Sequence, residues 1–110
     1  MEKNVSRGFV LWPELKLLLA EAYRGLGELG KAVVAAEASL AMKPDYGRAA
    51  AFLADLWIDM GKRDEALNVL KRTVSRGARS RAVIRRLICL QGKERRCPPG
   101  YRGDIGTGRR

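Results

Sequence analysis

The sequence predicts an all-α protein: an α-solenoid of antiparallel helix pairs, about five helices in all, ending in a disordered or extended basic tail. Three observations carry this expectation. Apolar residues recur at helical spacing in successive blocks. The blocks repeat after 34 residues, the mark of a stacked array. The last stretch is rich in Gly, Pro and Arg and has no apolar periodicity. The 110 residues allow one domain, and a hydrophobic content of 46% is too high for a wholly disordered chain.

Residues 1–12 precede the array. Their apolar stretch Phe9-Val10-Leu11-Trp12 is expected to fold back on the first helix pair, or else to form a contact surface. Pro13 suits the first turn of a helix, where its missing N–H costs nothing. Leu15, Leu19, Ala22 and Tyr23 give that helix an apolar stripe, and Gly27 stops it. A second helix runs from about Lys31 to Met42 and ends before Pro44, which closes the unit 13–46. Leu53, Leu56, Trp57 and Met60 then mark a third helix that stops at Gly61. A fourth runs from about Asp64 to Arg76, and Gly77 closes the unit 47–80. Val83, Ile84, Leu87 and Ile88 mark a helix over 81–91, with Arg81, Arg85 and Arg86 in its polar positions. No partner helix follows in 92–110, so 81–91 reads as a cap over the last unit's edge.

Shifting the chain by 34 residues pairs Leu19 with Leu53, Ala20 with Ala54 and Tyr23 with Trp57. It also pairs Gly27 with Gly61, Ala32 with Ala66 and Leu40 with Val74. Ala32 and Ala66 are small enough to let two antiparallel helices approach closely. These residues resemble the tetratricopeptide repeat family over about 13–80. The large early residue of that pattern is missing from both units, where Lys16 and Ala50 stand, and Ala78 replaces the closing Pro of the second.

The resemblance implies a concave groove lined by the first helix of each unit. In this register the groove candidates are Leu17, Leu18, Glu21 and Arg24 from one unit and Arg48, Phe52, Asp55 and Asp59 from the next. Such a groove is apolar in the middle, acidic on one side and basic at the end. It suits an amphipathic helix or extended peptide anchored near Leu18 and Phe52, unless those two are interhelical core. A family subgroup grips chaperone C-terminal carboxylates with Lys and Asn at set positions. Here those positions carry Leu17, Glu21, Phe52 and Ala82, and only Arg86 fits, which excludes that clamp. The resemblance thus implies a protein-interaction adaptor or scaffold rather than an enzyme.

The net charge of +10 is unevenly placed. Residues 1–46 sum to zero, 47–75 to +1 and 76–110 to +9. Arg79, Arg81, Arg85, Arg86, Lys93, Arg95 and Arg96 form a candidate surface for an anionic partner. Arg-rich segments hold phosphate through charge and forked donors, and Tyr101 among glycines suits stacking on a base. RNA or a ribosome-like partner is therefore an alternative to a protein partner. A structural subunit of a larger complex or homo-oligomer is another, because two units are few for a free-standing array. The chain has no His, which excludes Ser-His-Asp catalysis and His-based metal sites, and no cofactor is expected. No apolar run is long enough to cross a membrane, and a cytoplasmic location is expected. A Cys89–Cys97 disulfide is geometrically allowed, although a cytosolic setting favours free thiols. Arg102-Gly103-Asp104 and Gly106-Thr107-Gly108 are short matches that carry no weight.

Overall fold

The computed structural model describes residues 12–93, 96–98, 100 and 101. Five helices and no strand occur among them. They are α1 (Pro13–Gly25), α2 (Leu29–Met42), α3 (Gly47–Asp59), α4 (Arg63–Ser75) and α5 (Arg81–Leu90). Each packs on the next, and α5 also packs on α3. This is the stacking of helix pairs that the repeat predicts.

The turns show why the two units match. At the end of α1 the Glu28 N–H reaches back to the Tyr23 carbonyl at 2.9 Å, with Gly27 at φ +81° between them. At the end of α3 the Lys62 N–H reaches the Trp57 carbonyl at 2.7 Å, with Gly61 at φ +78°. A side chain at either glycine would strain the left-handed backbone that closes the helix. The same sequence position therefore makes the same turn twice, and the following helix folds back antiparallel each time.

The core lies where α2, α3 and α4 meet. Ala32, Ala36, Ala49, Ala50, Ala54 and Ala66 are fully buried and let the helix axes close together. Leu53, Leu56 and Leu70 fill the space between them. Each such leucine contributes roughly 1.5–3 kcal/mol through burial. The Ser39 hydroxyl is buried and donates to the Pro13 carbonyl at 2.8 Å, fixing the start of α1 on α2. The Tyr46 hydroxyl and Trp57 Nε1 are buried without a hydrogen-bond partner, a local cost the packing must offset.

Four sequence expectations change. Leu19 and Ala22 are exposed rather than packed, because among the described residues no helix covers that side of α1. Trp12 is 55% exposed, so it does not tuck under the first helix pair; Phe9 lies outside the described residues. Cys89 and Cys97 are joined as a disulfide, with Cα atoms 5.9 Å apart. Lastly, among the described tail residues Cys97 and Tyr101 pack against the helices, Tyr101 being 1% exposed.

Candidate functional site

The groove forms from two stripes. On α1, Leu18, Glu21 and Arg24 follow at steps of three, so they share one face. On α3, Arg48, Phe52, Asp55 and Asp59 follow at steps of four, three and four. Arg24 ties the stripes together. Its guanidinium bonds Asp59 at 2.8 Å and lies 5.6 Å over the Phe52 ring. Leu18 is 58% exposed on α1 and Phe52 is half-buried on α3, so each stripe carries one apolar side chain accessible to solvent. Glu21 and Arg48 are exposed on the same stripes.

Leu17 does not belong to this surface. It is 2% exposed and joins Ala20 in the core cluster, because one step along a helix turns a side chain by about 100°. The acidic side of the groove is also paired off. Asp59 is taken by Arg24, and Asp55 is taken by Arg86 of α5, whose Nε and Nη2 bond its two oxygens at 2.9 and 3.1 Å.

Beyond Asp55 the groove is already filled. A strap made by residues 96–98, 100 and 101 links α5 to α3, anchored first by the Cys89–Cys97 bond. The Arg96 carbonyl accepts from Arg85, and the Tyr101 hydroxyl donates to Asp55 in a short hydrogen bond. The Arg86 guanidinium sits 5.7 Å over the Tyr101 ring. Arg63, at the start of α4, donates to the carbonyls of Gly100 at 2.7 Å and Tyr101 at 3.1 Å. Gly100 has φ +89° and presses on Ile58, where a Cβ would lie 2.3 Å from the Ile58 methyl. Burial, and then the Asp55 carboxylate, push the Tyr101 phenol well above its usual pKa. Burial acts to lower Arg86, but the Asp55 bond and charge outweigh it and hold the guanidinium cationic. Tyr101 is thus occupied in the fold and is not offered to a nucleic-acid base.

The basic candidates fall into three groups. Arg86 is committed to Asp55 and Tyr101. Arg81, Arg85 and Arg96 line, with Arg86, a cleft of about 720 Å³ closed by Ala82, Cys97 and Pro98. Arg79 and Lys93 are exposed on either side of α5, and Arg95 lies outside the described residues. No group of three or more metal-ligating side chains occurs among the described residues. No described helix is long and apolar enough to cross a membrane.

The family model for the tetratricopeptide repeat matches residues 23–88. The chain belongs to the tetratricopeptide repeat family. Comparisons with curated proteins and with solved structures give no match. Tetratricopeptide repeats mediate protein–protein interaction, and theirs is a non-enzymatic fold. In this tetratricopeptide repeat protein the groove candidates fall on α1 and α3, the first helices of the two units, and α5 packs against α3. Sequence reasoning missed Arg63, Ile58 and Gly100 as strap-holding residues. Only Gly100-Tyr101 within an Arg-rich stretch gave a signal there, and it pointed outward.

Proposed function

We propose that the chain is a small tetratricopeptide repeat adaptor, cytoplasmic, that holds a partner protein's amphipathic helix or extended segment in the α1–α3 groove. The observation that supports this reading is the α1–α3 strip: Leu18 exposed on one stripe, Phe52 half-buried on the other, and charged residues on both. Apolar anchors of the partner bury on that strip, and Glu21 and Arg48 set its orientation. Arg24 holds Phe52 and Asp59 in place, so the groove is formed before the partner arrives and less ordering entropy is lost on binding. Leu18→Glu places charge on the strip at a residue outside the core cluster. Affinity capture by this variant loses the wild-type partners while its far-ultraviolet circular dichroism stays that of wild type. Retention of the same partners refutes the reading.

A second reading has its own observation, the cleft lined by Arg81, Arg85, Arg86 and Arg96. Arg81, Arg85 and Arg96 around one concavity, beside an Arg86 already held by Asp55, favour an anionic partner such as RNA or an acidic protein surface. Such binding weakens steeply with salt, because counterions released on contact drive it. No retention on immobilised RNA or on an acidic peptide at low salt refutes this second reading.

A further inference from the structure

The strap is chemically a bound peptide. Arg63 reads two successive backbone carbonyls, Asp55 accepts from a phenol, and Arg86 covers the ring. Ile58 leaves a gap that only glycine fits. A carbonyl-reading arginine, a phenol acceptor and a glycine-sized gap together select a Gly-Tyr segment in a turn, in which the Tyr101 N–H donates to the Pro98 carbonyl at 3.2 Å and Gly100 takes φ +89°. These groups belong to α3, α4 and α5, so the site exists without the strap's own sequence. These contacts are reinforced by one covalent bond, Cys89–Cys97, made eight residues apart. Cys89 is buried beneath the strap and Cys97 is partly exposed, which leaves its sulfur as the one to be attacked.

We propose that the α3–α5 half of the groove is a peptide-binding site for a Gly-Tyr segment, filled by the chain's own strap and controlled by the Cys89–Cys97 disulfide as a redox latch. The proposal rests on the reading of the groove as a partner surface, but it concerns the half that the α1–α3 strip does not reach. Opening is a thiol–disulfide exchange with a dithiol reductant. A thiolate of the dithiol attacks the Cys97 sulfur, the Cys89–Cys97 bond breaks and Cys89 leaves as thiolate. The second thiol then resolves the mixed disulfide. Both cysteines end as thiols with the two electrons and two protons that the dithiol gives up on becoming a disulfide. The strap remains attached, but its tether to Tyr101 now starts from the end of α5 rather than from Cys97. That tether is roughly threefold longer, which lowers the local concentration of Tyr101 about fivefold by the three-halves power of length. A partner's Gly-Tyr segment then competes with the strap for the site. In a reducing compartment a disulfide of this kind is regulatory rather than permanent.

The test uses the full chain and a labelled synthetic peptide of residues 96–101 carrying Cys97→Ser, followed by fluorescence anisotropy. The peptide binds the reduced chain, or the Cys97→Ser chain without reductant, about fivefold more tightly than the oxidised chain. Tyr101→Ala in the Cys97→Ser chain tightens binding further, and Arg63→Ala in that background abolishes it. Equal affinity for oxidised and reduced chains overturns the latch, and no saturable binding to the Cys97→Ser/Tyr101→Ala chain overturns the site. Loss of helical circular dichroism on reduction also overturns the proposal, because the bond would then hold the fold rather than gate it. Partner capture through the α1–α3 strip is measured separately on the wild-type chain. Failure here with intact partner capture by wild type therefore removes this inference and leaves the adaptor reading standing.

Discussion

Asp55→Ala removes the acceptor on which three hydrogen bonds converge, two from Arg86 and one from Tyr101. Each bond to a charged group is worth about 1.5–3 kcal/mol, and bonds that share one carboxylate do not add. The Arg86 and Asp55 side chains keep 18% and 25% of their exposure, so water screens part of the interaction. Removing one member also leaves a half-buried guanidinium and a buried phenol unpaired, which raises the cost. The expected loss is about 2–3 kcal/mol, against a total of roughly 4–12 kcal/mol for a domain of this size. Urea unfolding of the oxidised chain, followed by far-ultraviolet circular dichroism, measures it by linear extrapolation. Asp55→Asn keeps one acceptor oxygen without the charge and falls about halfway. Tyr101→Phe alone costs about 1 kcal/mol, and in combination with Asp55→Ala it costs less than the sum. A loss for Asp55→Ala below about 0.5 kcal/mol, or strict additivity in the double variant, refutes the carboxylate as the hub of the strap.

Two further outcomes follow from the same geometry. The Tyr101 phenol is raised above its ordinary value of 10.0, so the folded chain keeps a proton that the unfolded chain loses above that pH. Its contribution is therefore complete below pH 10 and falls by up to about 1.4 kcal/mol per unit above it; the wild-type advantage over Tyr101→Phe in urea midpoints between pH 9 and 11 shows this decline. A constant difference between the two proteins across that range contradicts the buried, carboxylate-bonded phenol. Gly27→Ala and Gly61→Ala meet no neighbour within 4 Å, so each carries only the backbone penalty of a positive φ, about 1–2 kcal/mol. Urea midpoints that differ widely between the two refute the equivalence of the two turns.

The scaffold was legible because its signals are local. Gly27 and Gly61 each sit five residues before the small alanine that begins the packed second helix, and the turns formed as that spacing demands. Predicted starts at Lys31 and Asp64 fell within two residues of the observed Leu29 and Arg63. Leu17 was misread because groove and core positions differ by a single step along α1, and sequence alone does not fix that helical phase. Leu19 was misread for another reason: burial there depends on a neighbouring helix, not on the residue. The strap was the least legible part. Tyr101 meets Asp55 across 46 residues, and no periodicity links them. An Arg- and Gly-rich composition argues for a solvated tail until a covalent anchor and a buried phenol oppose it.

The two arginine–carboxylate pairs also differ in a way that reaches beyond stability. Arg24–Asp59 spans α1 and α3 and is well exposed to solvent, whereas Arg86–Asp55 spans α3 and α5 beneath the strap. Added salt loosens the first and scarcely reaches the second. A change of ionic strength therefore acts on the tie between α1 and α3 and leaves the tie between α3 and α5 in place.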